Sequence, residues 1–533
     1  MPDDARIPDS TSLPVRAAWG AAILLAASPF LLVALPPLVD APGHLGQLAI
    51  QTAPATNPLH RFFDFHWALR LNLGGDLLVE LLYPVLGLAR AFWLVTACVP
   101  PLTACAVWLL ARHANRGRAA AASWALPFAY SYPFLYGFLN YTLGMSLALI
   151  AYAGWIALAR RPVLREALAW VLIPLLMLCH AIGGGLLPLL IVAAAAGRRA
   201  LVRPARPFLA RDRAAWIGFA REVRPVVAAI VTLLLWLHAG AGGAGTPPVF
   251  DFAAKAKGVV LALRDQNRWL DVASLVAVLL VLFLGRRAGA RYGRANGLAL
   301  LALALLFLVM PGELGGASFN DMRLVPPLAI VALTLQDWSA VDVRWRRIVA
   351  WSGLALFAVR LMVTATSFAA YDRTYAAERQ ALPHIDRGAR VLALVQRKCG
   401  AADNWRMHRL DHLPALVTVE RDGWVNAHWD VPSIHLLTVT YRPAPDFYDD
   451  PSQYVWPQEC IPGRLPRHSL HPLRDTRRTI ATTLPLLPLG RVDYLWLIGV
   501  PLPAGPWQRD LRLVWGNGRS ALYRTRALTP PSA

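Results

Sequence analysis

The sequence predicts a mainly α-helical membrane protein of about eleven transmembrane helices with a large first outer loop, followed by a C-terminal extracytoplasmic α/β domain. Three observations carry that expectation. Of 533 residues, 56% are hydrophobic and only 16% charged, and mean hydropathy is +0.43, outside the range of ordinary globular chains. Long apolar runs are separated by loops that alternate between Arg-rich and Arg-poor. From about Tyr371 the runs shorten and are interrupted by Pro, Gly, Asp and Arg, as in the strands of a compact domain.

A net charge of +21 in a soluble protein would point to nucleic acid, so the placement of the arginines decides what it means. The segments "RHANRGR", "RRPVLRE", "GRRALVRPARPFLARDRAAWIGFAREVR", "GRRAGARYGRANG" and "VDVRWRR" hold roughly twenty basic residues, as cytoplasmic loops do. "SYPFLYGFLN", "HAGAGGAGTPP" and "GELGGASFND" are poor in Lys and Arg and face out. Membrane topology accounts for most of the charge, and nucleic acid is not expected as a partner. The N-terminus is placed in the cytoplasm, and everything after Thr366 lies outside.

Residues 1–16 read as a cytoplasmic segment, too acidic and polar for a secretory leader, and "ALPPLVD" offers no small-residue cleavage site. Residues 17–369 form the polytopic domain. A helix needs about 20 apolar residues to cross, and the candidates are Trp19 to Pro36, Phe92 to Leu110, Ala119 to Phe134, Phe138 to Leu158, Ala167 to Leu178, Leu186 to Ala196, Val226 to Ala239, Val272 to Leu284, Leu298 to Met310, Leu324 to Leu335 and Ile348 to Thr366. The outer loop with its surface helices covers 37–90. Within it, Asn72 to Leu88 carries Asp76 and Glu80 one turn apart and reads as an amphipathic helix lying on the surface. The stretch Glu166 to Gly197 is short for two crossings but basic on both sides, so two short helices meeting at "CHAIGGG" are expected.

Residues 370–533 form the C-terminal domain. "YDRTYAAERQALPHI" reads as its leading helix, and "ARVLALV", "PALVTVE", "SIHLLTVTY", "VDYLWLIGV" and "LRLVWG" as strands. Among five cysteines there is no metal-ligand spacing. Cys98, Cys105 and Cys179 lie in apolar runs as packing residues, and Cys399 with Cys460 is a candidate disulfide in a domain placed outside.

The unusual polar residues gather at the predicted outer surface. Asp40 and His44 follow the first span, Asn140 opens an inward-going helix, His180 lies at the break, and Asp321 and Arg323 precede another helix. Each has a plainer reading beside the functional one. Asp40 can simply cap the helix starting near Gly43, and Asn140 can join helices by hydrogen bonds. Asp321 and Arg323 can pair with each other. For Asp64 and His66 two ligands do not make a metal site. His408 and His412, with Asp411 between them, fit a solvated face, and Asp449 and Asp450 fit a turn.

The arrangement resembles the glycosyltransferase-C superfamily, in which "VDAPGH" would supply a catalytic aspartate, Asp40, near the start of the first outer loop, and Asn72 to Leu88 a surface helix. "PLVDAPGHLGQ", "GFLNYTLGMSLAL", "LCHAIGGGLL" and "DMRL" are similar to bacterial membrane proteins placed near that superfamily. The resemblance covers about two thirds of the chain. It implies transfer of a sugar from a polyprenyl-phosphate-linked donor to an envelope lipid, glycan or protein acceptor on the outer face of the bacterial inner membrane, with Asp40 as general base. His44, Asn140, His180, Asp321 and Arg323 are then the substrate-binding candidates, Arg323 foremost for the leaving phosphate. No acidic pair of the DxD type stands beside Asp40, so no metal or other cofactor is expected. A transporter or flippase of a lipid-linked substrate and a non-catalytic envelope scaffold are the alternatives.

Overall fold

The computed structural model describes residues 13–115, 118–199, 213–239, 248–314, 316–398, 405–431, 434–461 and 478–526. The chain divides into two compact units, one made of Met1–Leu31, Leu69–Leu78 and Leu94–Thr366, the other of Leu32–Ala68, Val79–Trp93 and Ser367–Ala533.

The first unit is helical. Among the described residues, seven helical segments are long and apolar enough to span a membrane: Val15–Leu32, Leu88–Ala114, Leu139–Arg160, Pro162–Cys179, Ala181–Arg198, Arg268–Arg287 and Val343–His384, with Arg294–Val309 and Met322–Thr334 as shorter apolar helices. The protein is thus a multi-pass membrane protein. Parts of the Arg-rich loop after Gly197 and of "HAGAGGAGTPP" lie outside the described residues.

Where helices touch, small and hydroxylic residues set the spacing, as expected where lipid gives no hydrophobic drive to association. The hydroxyl of Thr103 lies 2.7 Å from that of Ser146. Two 18-residue helices, Pro162–Cys179 and Ala181–Arg198, meet at His180. The glycines of "CHAIGGG", expected in non-helical backbone, are helical instead. Gly184 is needed because a Cβ there would sit 2.1 Å from the Leu176 carbonyl oxygen.

The expected span Ala119 to Phe134 is a 3-10 helix, Ala120–Tyr130, buried from Ala121 on and followed by the short helix Tyr132–Tyr136. Pro127 and Pro133 each remove a backbone donor, which favours short helical pieces over one regular helix. A buried ion pair anchors the long last helix. Arg360 donates to Asp271 at 3.0 Å, to Ser274 at 3.2 Å and to the Leu263 carbonyl at 2.6 Å.

That helix, Val343–Arg379, runs unbroken from the membrane span into the second unit. The sequence reading separated it near Thr366, but no Gly or Pro lies between Gly353 and Arg379 to stop it. The second unit holds a six-stranded mixed sheet. Its central strand, Arg390–Gln396, runs parallel to Tyr494–Ile498 on one side. Ala521–Thr525 and Leu511–Gly516 continue that side antiparallel. Four of the five expected strands are present, although "SIHLLTVTY" shortens to Leu437–Val439. "PALVTVE" is instead the helix Leu416–Arg421, entered through a 3-10 turn at Leu413–Ala415. An apolar run this short has no decisive period, and Pro414 favours the first turn of a helix.

On its other edge the central strand meets two short strands in succession, Trp424–Val425 at its start and Tyr454–Val455 at its end. Asn426 bridges the interval. Its side-chain oxygen accepts from the Ala393 N–H at 2.8 Å, and its amide donates to the Ala393 carbonyl at 3.3 Å. The first part of the outer loop, Leu32–Ala68, belongs to this unit as well, contributing the helix Ala41–Gln51 and the strand Phe63–Phe65, which pairs antiparallel with Leu437–Val439. The core joins Phe63, Ile50 and Leu59 of the loop with Leu392, Leu394, Trp424, Leu495 and Leu497 of the sheet region.

Candidate functional site

In open α/β sheets, ligand sites form beyond the carboxyl ends of parallel strands, where the chain leaves in different directions. The second unit has such a place at the end of Arg390–Gln396, and Asp40 is part of the cluster that includes residues from this region. Asp40 is the N-cap residue of Ala41–Gln51, yet its side chain makes no capping hydrogen bond. Its carboxylate is nearly buried, and Oδ1 lies 3.5 Å from His412 Nε2. Capping does not account for this aspartate.

His412 is 3% exposed and fixed on both ring nitrogens. Nδ1 lies 3.2 Å from the Ala427 carbonyl oxygen, which can only accept, so it carries the proton of that bond. Nε2 therefore faces Asp40, the Asp450 carboxylate at 3.8 Å and the Tyr454 hydroxyl at 3.3 Å. Asp450 in turn accepts from the Gln453 amide at 2.6 Å. Trp429 packs on the His412 ring at 4.5 Å between centroids, and also meets His44 at 5.1 Å and His435 at 5.5 Å.

The spacing "GHLG" makes this approach workable. A Cβ on Gly43 would stand 2.6 Å from the Trp429 ring, and one on Gly46 would stand 2.5 Å from His428 and 3.1 Å from the Ala415 carbonyl oxygen. Glycines three apart on one helical face therefore admit the rings that carry the cluster.

Burial governs the protonation of the neighbours. The Asp411 carboxyl is pushed up to about 6 by burial, opposed by the Arg397 guanidinium at 3.1 Å. Burial lowers His428 to about 3 and His435 to about 4, so both imidazoles are neutral over the physiological range.

Two plain readings of the sequence fail here. His412 and Asp411 are not on a solvated face: the segment is not helical, and both side chains are buried in the second unit. Asp450 does more than shape a turn. The signal present in the sequence was an acid and an imidazole in apolar surroundings, "LDHLPALV", together with the aromatic and acidic "NAHWD". By contrast, Asp64 and His66 bond only 2.8 Å apart on an exposed surface. Among the described residues no group of three His, Cys, Asp or Glu side chains is placed to hold a metal ion.

The remaining candidates lie in the helical unit, where most are engaged in structure. Asn140 accepts from the Gly75 N–H at 2.5 Å and donates to the Asn72 carbonyl at 2.7 Å and to Asp76 at 2.9 Å, which holds the start of the helix Gly74–Leu86. His180 caps Ala181–Arg198, its Nδ1 accepting from Ile182 at 3.1 Å and Gly183 at 3.2 Å. Asp321 pairs at 3.1 Å with the buried Lys255, a partner the sequence did not suggest. Lys255 also donates to the carbonyls of Phe307 and Met310 at the end of the helix Arg294–Val309. The Arg323 guanidinium lies 4.4 Å above the Phe138 ring and donates to Asn320 at 3.3 Å. Cys460 is disulfide-bonded, and Cys98, Cys105 and Cys179 are free. Cys399, its expected partner, lies outside the described residues.

The chain has a glycosyltransferase-C-like fold. It superposes on the crystal structure of ArnT from Cupriavidus metallidurans bound to undecaprenyl phosphate with a TM-score of 0.50 and 10% sequence identity, over 96% of this chain and 98% of that chain. No protein-family model matches the chain, and no curated protein sequence does.

Proposed function

We propose that this protein is a membrane glycosyltransferase that takes a sugar from a polyprenyl-phosphate-linked donor, with Asp40 as general base. The observation that carries this reading is the Asp40 carboxylate, nearly buried, not used as a helix cap and 3.5 Å from His412 Nε2. The fold supports the donor class, because the ArnT it resembles is bound to undecaprenyl phosphate.

In the reaction, Asp40 takes the proton of an acceptor hydroxyl while its oxygen forms a bond to the anomeric carbon. The bond from that carbon to the phosphate oxygen breaks, its electron pair leaves with the polyprenyl phosphate, and the sugar is inverted. The proton on Asp40 then has a neighbouring station at His412 Nε2, which Asp450 and Tyr454 hold in place. General-base catalysis of this kind contributes about 10² to 10⁴ in rate. His44, one turn after Asp40 in the same unit, is proposed as a phosphate contact on the chemistry of imidazole. His180, Asn140 and Asp321 act through the backbone and ion-pair contacts described above. The outer face of a bacterial inner membrane is the proposed location, on the distribution of arginines.

The test supplies proteoliposomes of the full chain with a panel of polyprenyl-phosphate sugars and follows consumption of the donor by mass spectrometry. Consumption of one donor by the wild type but not by Asp40→Asn supports the reading. Equal consumption by both contradicts it.

A further inference from the structure

One groove in the helical unit is unrelated to Asp40. A cavity of about 300 Å³ is lined by Arg16, Gly20 and Ile23 of the first apolar helix and by Trp108 and Arg112 of Leu88–Ala114. Arg16 stands near the start of the first helix and Arg112 near the end of the second, so two guanidiniums share one mouth of the groove. Trp108 lies one turn before Arg112, whose guanidinium is 5.5 Å above its ring. Gly20 and Ile23 continue the wall along the apolar stretch. At Gly20 a Cβ would meet no atom within 4 Å, so the floor is open space.

We infer that this groove binds an anionic phospholipid of the bilayer, its phosphate between Arg16 and Arg112 and the first part of one acyl chain along Gly20, Ile23 and Trp108. The charge order of the lining matches that occupant. Two arginines offer several donors in fork geometry to phosphate oxygens, and the apolar wall follows in the direction an acyl chain takes. Tryptophan with arginine at the end of an apolar helix suits the headgroup level. A cavity of this size holds a phosphate and a few methylenes, so the rest of the lipid stays in the bilayer. A bulk phospholipid is present there at far higher mole fraction than any carrier lipid.

The experiment uses the full chain in phosphatidylcholine nanodiscs and measures the rise in melting temperature and the bound lipid, by native mass spectrometry, as phosphatidylglycerol is added. Wild type should retain phosphatidylglycerol over phosphatidylcholine. Arg16→Gln and Arg112→Gln should each weaken that retention about tenfold, the loss expected for a charge-assisted hydrogen bond. Gly20→Leu keeps both charges and fills the floor, so it should abolish retention with the melting temperature in pure phosphatidylcholine unchanged. Equal retention by Gly20→Leu and wild type would overturn the inference. So would retention of undecaprenyl phosphate with none of phosphatidylglycerol.

Discussion

His412 Nε2 lies 3.5 Å from Asp40 Oδ1, although the two residues come from opposite ends of the chain. Leu32–Ala68 and the C-terminal region belong to one unit, and the contact exists because Gly43 and Gly46 let rings lie against the helix that Asp40 begins. Each step of that construction can be tested separately.

Gly46→Ala should destabilise the protein by about 1 to 3 kcal/mol, the usual range for overpacking. The new methyl would lie 2.5 Å from the fully buried His428 and 3.1 Å from the Ala415 carbonyl oxygen. Gly20→Ala, made into open space, should not destabilise. Denaturant or thermal unfolding of both variants in the same detergent checks the contrast.

His412→Gln should lower turnover at least about tenfold while the protein remains folded, because it removes the second station for the proton held by Asp40. Tyr454→Phe should do less, since it removes one partner of Nε2 and leaves the imidazole in place. Donor-consumption rates for the two variants, with melting temperatures measured in parallel, distinguish a proton role from mere packing.

Acidification should destabilise the second unit. His428 and His435 have folded values of about 3 and 4 against 6.5 when unfolded, so the unfolded state binds more protons as pH falls below 6.5. Each histidine then removes about 1.4 kcal/mol per pH unit until its folded value is reached. Asp411 works in the opposite direction: its folded value of about 6 exceeds 3.8, so its penalty at neutral pH is relieved as pH falls from 6 to 3.8. Two groups outweigh one. The double variant His428→Gln, His435→Gln should lose less stability than the wild type between pH 6 and 4 in a series of melting curves.

Lys255→Met should cost about 3 to 5 kcal/mol, the price of stranding a buried charge. It would leave Asp321 without its 3.1 Å partner and the Phe307 and Met310 carbonyls without this donor. The further replacement Asp321→Asn should restore part of the loss, as measured by a double-mutant cycle.

Much of the helical unit could be read from apolar run length, because the bilayer imposes it on the sequence. The meeting of two helices at His180 and the interest of Asp40 were legible for the same reason: a polar residue at the end of an apolar run stands out. The Asp40 partners were not. His412 and Asp450 sit in short, proline-punctuated loops without a period, and loops lying far apart in sequence carry no local sign that they converge. The Asp321 partner was missed because Lys255 is on a short helix of mixed composition, FAAKAKGVV, whose burial depends on packing with Asp321 and with the helix Arg294–Val309. The helix at Leu416–Arg421 was read as a strand because its residues favour both states until neighbours decide.

The most direct measurement compares donor consumption and stereochemistry for wild type and Asp40→Asn in the same proteoliposomes, with melting curves for each. Because Asp40 makes no capping bond, the account predicts a folded variant whose sugar transfer falls by about 10² or more, and a wild-type product inverted at the anomeric carbon. Full transfer by Asp40→Asn, or a product of retained configuration, would contradict it.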